Sequence, residues 1–184
     1  MNDTQILGSI DERAHTTADE VVRLESSNGS HWQHLPRFIE RSVHFAQETL
    51  SYNDIQIRNF EQDLKNRWVT PNGALMLAIF DGHGIMVGHI LGWINVDYGQ
   101  PYLFNFQADV DEGYDLRPIV NRVFEEHVEY IGHMNAMYEQ MKQDVRINKV
   151  ITQTMRNGPA LVRYLEMKGI TAILERAVIS WKVE

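Results

Sequence analysis

The chain has 184 residues, 25 acidic and 17 basic side chains, a net charge of −8 with histidine neutral, a 43% hydrophobic share and no cysteine. That length and apolar content suit one domain with an ordinary core. The lack of thiols excludes disulfides, thiolate catalysis and zinc–thiolate sites. The acidic balance opposes phosphate backbones, so nucleic acid is not an expected partner, and no apolar run is long enough to span a membrane.

Residues 1–18 are polar and weakly patterned. They read as a loose tail, or as an arm that docks on a protein partner through Ile6, Leu7 and Ile10. Residues 19–184 read as the folded domain. The N-terminal stretch lacks the basic and apolar regions of a secretory signal, which suits a cytoplasmic protein. Glu20–Glu25 is a short strand candidate. A helix over His34–Leu50 carries Leu35, Ile39, Val43, Ala46 and Leu50 at helical spacing. Ser51 and Asn53 can cap a second helix with Ile57, Phe60, Leu64 and Trp68 on one stripe.

Three strands follow, over Ala74–Phe80, Ile85–Val96 and Tyr102–Val110. The turn Asp81-Gly82-His83-Gly84 between apolar runs predicts a hairpin, and the set is an antiparallel meander. A long helix is predicted from Leu116 and Pro118, with Gly132 as a break and His133–Asp144 as a further helical piece. On its apolar face His127 reads as a hydrogen-bonded core histidine, and Met134, Met137 and Met141 as core filling. His31 and His34 lack further ligands, so no metal site is expected.

The last third is the most regular stretch. Val150–Met155 is β-branched and strand-like. Asn157-Gly158-Pro159 opens a helix that Gly169 closes, and one long final strand follows. The whole reads as an α+β fold with a mixed, mostly antiparallel central sheet flanked by helices. In the third meander strand, Asn105, Gln107 and Asp109 alternate with Phe104, Phe106, Ala108 and Val110. Three polar side chains on one face of a central strand read as a ligand-binding cleft, as an internal polar network, or as an edge strand facing solvent.

This order of elements, and the series Asn157, Ala160, Tyr164 and Gly169, resemble the GNAT superfamily of acyl-CoA-dependent N-acyltransferases from about Glu20 to the C-terminus. The resemblance implies a three-layer fold in which the fourth and fifth strands run parallel and splay apart. It implies acetyl-CoA in that gap, its pantetheine on the main chain around Phe106, Gln107, Ala108 and Val110. Gly113, Arg117 and Asn157 would be further cofactor contacts, Tyr164 the acid for the leaving thiolate, and Asp109 the base. The acceptor would be a small amine or a protein amine. The family's pyrophosphate loop falls on Asp111–Pro118, which has one glycine and three acids. Those acids oppose phosphates and also suit an ordinary helix start. A second implication of the resemblance is a GNAT-like fold without CoA chemistry: an interaction or assembly protein, phage-encoded and virion-associated.

Overall fold

The structure, a computed structural model, describes residues 16–153, 162–163, 166–167, 172–175 and 178–182. The described strands are β1 (Thr16–Arg23), β2 (Leu75–Asp81), β3 (Met86–Asp97), β4 (Gln100–Val110), β5 (Tyr114–Asp115), β6 (Lys149–Gln153), β7 (Ala172–Glu175) and β8 (Val178–Lys182). They form one mixed sheet in the order β5-β1-β2-β3-β4-β6-β8-β7. The β1–β5 and β4–β6 pairs are parallel and the others antiparallel. Helices α1 (Leu35–Glu48) and α2 (Asp54–Val69) cover one face, and α3 (Val120–Gln140) covers the other.

Strand periodicity builds these layers. β2 is buried along its whole length. Its Leu75, Leu77 and Ile79 point to the α3 side with Ile131 and Met134, while Met76, Ala78 and Phe80 point to α1 and α2 with Phe38 and Leu64. Asn53 caps α2 as expected, accepting from the N–H groups of Ile55 and Gln56 while the Gln56 side chain returns a bond to Asn53. The β2–β3 turn is held by Asp81, whose Oδ1 accepts from His83 and Ile85 N–H groups at 2.9 Å each. Those donors hold the carboxyl below its ordinary range.

Several elements differ from the sequence-based expectation. β1 starts at Thr16, ahead of Glu20, because Thr16 and Thr17 pair with Tyr114 and Asp115, which no local pattern reveals. Thr16, Thr17 and Ala18 therefore belong to the sheet, and the rest of the proposed arm lies outside the described residues. α3 starts at Val120 and runs through Gly132 as one helix of 21 residues. Packing of Ile131 and Met134 on the sheet outweighs the glycine's cost of about 1 kcal/mol. Met134 is core, Met137 packs against it, and Met141 is exposed. In place of one final strand, β7 and β8 pair antiparallel, with β8 inserted beside β6. Of the helix predicted between Asn157 and Gly169, Val162, Arg163, Glu166 and Met167 are helical.

Candidate functional site

The site is built on β4. Its partner β3 follows it along the whole length, but the register slips once: Leu91 faces Gln107, and the next residue, Gly92, faces Asn105. Phe106 is the extra residue, a β-bulge. On the other edge β4 runs parallel to β6 through Leu103–Val150, Phe104–Ile151 and Asn105–Thr152. The ladder then stops. Gln153 is still strand and pairs with Val178 of β8, and among the described residues no β4 partner is recorded for it. Among the described residues the parallel pairing therefore ends beside the bulge. Beyond it the Phe106–Val110 main chain has no described strand on its β6 side.

The bulge also redistributes the side chains. Strict alternation would put Asn105, Gln107 and Asp109 on one face. Instead Asn105 points to α3, and Phe106, Gln107 and Asp109 point to the α1/α2 face. The polar row is thus split: Asn105 and Gln107 each sit in a buried network on opposite faces, and Asp109 reaches a cleft. On the α3 side, Asn105 Nδ2 and His127 Nε2 are 2.9 Å apart, and His127 Nδ1 is 2.6 Å from the Val123 carbonyl. A carbonyl only accepts, so Nδ1 carries the proton and Nε2 accepts from the amide. On the opposite side, Gln107 Nε2 donates to the Ser42 carbonyl at 2.9 Å, and its Oε1 lies 2.9 Å from His89 Nε2. Here Nε2 must carry the proton, the opposite tautomer. Burial pushes both histidines down to about 4. Among the described residues Asn105, Gln107, His89 and His127 are all buried.

The other predicted site residues are scattered. The ring of Phe106 packs 4.8 Å from Trp93 and 5.7 Å from Phe60, and Arg67 sits 4.3 Å over Trp93. Ala108 is exposed, and Val110 is buried in the α3-side core. Asp109 stands 3.6 Å from Arg41, which also donates to Asp111 at 2.7 Å and to the Val87 carbonyl at 3.3 Å. A cleft of about 460 Å³ lies there, between α1 and the end of β4, lined by Arg37, Glu40, Arg41, His44, Asp109 and Asp111. Arg41 and the His89–Gln107–Ser42 set were missed from sequence, since no local pattern links residues so far apart. Asn157 and Tyr164 lie outside the described residues.

Gly113 and Arg117 lie on the segment that follows β4. After Val110 the chain crosses the end of the sheet, and Tyr114–Asp115 pairs with β1. That places Tyr114 beyond β1 in the sheet order, although only the short turn Asp111–Gly113 separates it from the end of β4. Tyr114 Oη donates to Asp81 at 3.4 Å, and Arg117 is bound to Asp115 at 2.6–2.9 Å. The guanidinium is thus already matched to a carboxylate, and the segment forms a strap onto β1.

No protein-family model matches the sequence, and no curated protein matches it. Solved structures do. NAA60 of Arabidopsis thaliana in complex with a bisubstrate analogue superposes with a TM-score of 0.51 at 13% identity, over 89% of this chain and 96% of that one. The same plant protein with acetyl-CoA gives 0.51 and 13%, over 89% and 97%. A candidate acetyltransferase of Acinetobacter baylyi gives 0.52 at 8%, over 89% and 90%. The fold is the GNAT fold. The parallel β4–β6 pair, whose described ladder ends beside a bulge, and the β6-β8-β7 edge are the parts of the GNAT fold that frame the site here.

Proposed function

We propose that this chain is an acyl-CoA-dependent N-acyltransferase that holds the thioester arm of acetyl-CoA on the open main chain of β4. The observation that carries the reading is the end of the β4–β6 ladder at the Phe106 bulge, with Gln153 still in strand. An extended amide-bearing arm can pair with such an edge as a further strand would. A main-chain N–H at the bulge is placed to stabilise charge on the thioester oxygen. The acceptor nitrogen forms the new C–N bond as the C–S bond breaks. Asp109, beside the 460 Å³ cleft, takes the amine proton directly or through water, and Tyr164 returns one to the thiolate. A negatively charged surface suits an amine acceptor.

A second reading rests on a different observation. The segment after β4, with Asp111, Glu112 and Asp115, is strapped to β1, and its acids oppose phosphates. That favours a GNAT fold serving assembly with a protein partner. One experiment separates the two. Saturating acetyl-CoA, at a hundred times its Kd, should stabilise the folded protein by about 2.7 kcal/mol, a rise in Tm of roughly 5–10 °C. Tyr164→Phe should keep that shift and lose turnover on a panel of amines. A flat melting curve up to millimolar acetyl-CoA and CoA ends the enzymatic reading and leaves the assembly one.

A further inference from the structure

The bulge needs a cause, because β4 loses a paired residue there and gains no capping interaction of its own. Phe106 and Gln107 are consecutive, yet both face α1 and α2. In an unbulged strand Gln107 would turn to the α3 face, where Ile90, Val110 and Ile131 form an apolar layer. A buried primary amide without partners is costly there. In the observed register the amide is matched in both directions: it donates to the Ser42 carbonyl on α1 and accepts from His89 on β3. These are side-chain contacts with two different elements, one 65 residues away in sequence. Phe38 and Phe45 hold the His89 ring edge-on at 5.6 and 6.1 Å, so the donor to Gln107 is itself fixed. Asp109 works in the same direction through Arg41, but at 3.6 Å and at the solvent edge.

We propose that Gln107 is a positioning residue: its side chain, clamped between His89 and the Ser42 carbonyl, holds the β4 bulge and so keeps the Phe106–Val110 main chain from closing onto β6. Without that amide the strand can slip to plain alternation, and Phe106 can extend the ladder to Gln153. The inference deepens the acyltransferase reading, since the open edge is where that reading lays the thioester arm.

The test has one arm without ligand and one with it. Amide hydrogen exchange over residues 104–110 is compared in the wild type, in Gln107→Met, and in Tyr130→Phe as a control. The control removes a bond of 2.9 Å to the Asn72 carbonyl at the start of β2. Gln107→Met should change exchange at these amides by about tenfold, the size of one or two lost buried hydrogen bonds. Tyr130→Phe should leave them as they are. Where Gln107→Met does not fold, Gln107→Glu takes its place, keeping the volume and the acceptor for His89 while the ionised form lacks the donor. Wild-type exchange over 104–110 in a folded variant overturns the proposal. In the second arm, acetyl-CoA affinity should fall about tenfold in Gln107→Met and hold in Tyr130→Phe. Equal affinity in Gln107→Met again overturns the proposal. A wild type silent toward acetyl-CoA overturns the acyltransferase reading instead, and the exchange arm still decides the role of Gln107.

Discussion

The two halves of β4 are held in different ways. Up to Asn105 the strand is laddered to β3 on one edge and β6 on the other, and Asn105 is tied to His127 beneath it. From Phe106 onward, among the described residues, only β3 pairs with it, and further support comes from side chains on the α1/α2 face: the Phe106 aromatic contacts, the Gln107 clamp, and Asp109 beside Arg41. The first half is therefore fixed by main-chain pairing, the second by side-chain bonding. A strand half with fewer ladder hydrogen bonds is supported here by side-chain bonds to a neighbouring helix. The difference locates the part of the molecule where substitutions act on function before they act on stability.

The largest expected effect is on acid stability, because each half carries one buried neutral histidine. His89 and His127 are both lowered to about 4 from an ordinary 6.5, desolvation being the main cause. A depressed histidine means that the unfolded chain binds protons before the folded one does. Their contribution is thus fully present above pH 6.5, and it falls away as the pH drops toward 4. Each site should cost about 3 kcal/mol over that window. Urea midpoints measured at pH 7, 5.5 and 4 should decline steeply. The ring proton resonances of both histidines should titrate well below 6.5 in the native protein. A native ring that titrates near 6.5 contradicts the buried, opposite-tautomer arrangement on which the contrast between the halves depends.

Two glycines of β3 probe the same contrast at a smaller scale. A Cβ at Gly92 would lie 2.7 Å from Asn105 Oδ1 and 3.1 Å from the Phe104 carbonyl, in the laddered half. A Cβ at Gly88 would lie 2.7 Å from Val110 Cγ2 and 2.8 Å from the Asp109 carbonyl, in the open half. Both alanine variants should lose stability, by about 1–3 kcal/mol for a forced contact in a packed region. Gly92→Ala should be the worse, since β6 blocks retreat of β4 there, whereas the far half has no described strand on that side. Equal or greater loss in Gly88→Ala, read from denaturant midpoints, means that the open half is as rigid as the laddered one.

Element types were legible in the sequence where the period was long and the caps local. The α1 and α2 stripes, the Asn53 cap, the Asp81–Gly84 turn and the three meander strands all follow from neighbours in the chain. The parallel β4–β6 pair was expected only from the GNAT resemblance and not from any residue pattern. What stayed hidden depended on partners distant in sequence. The bulge is set by a glutamine that reaches Ser42, and it overturned the expectation that Asn105, Gln107 and Asp109 share a face. The strap is set by two residues that pair with Thr16 and Thr17, a contact no spacing rule announces. Gly132 was read as a helix break because its intrinsic cost was visible and the packing that offsets it was not.

The smallest effect is expected at Arg117, which tests whether the strap takes any part in ligand binding. Arg117 is mostly exposed, and its bonds to Asp115 hold one exposed turn together. An exposed ion pair of this kind contributes about 0–1 kcal/mol, so Arg117→Ala should hardly change the melting temperature. Were the segment a phosphate cradle, loss of this guanidinium would weaken acetyl-CoA binding about tenfold or more, because a charge-assisted bond to phosphate contributes about 1.5–3 kcal/mol. Because that guanidinium is already bound to Asp115, no change in the acetyl-CoA response is expected. A tenfold loss in Arg117→Ala at unchanged stability would place the phosphates on the strap.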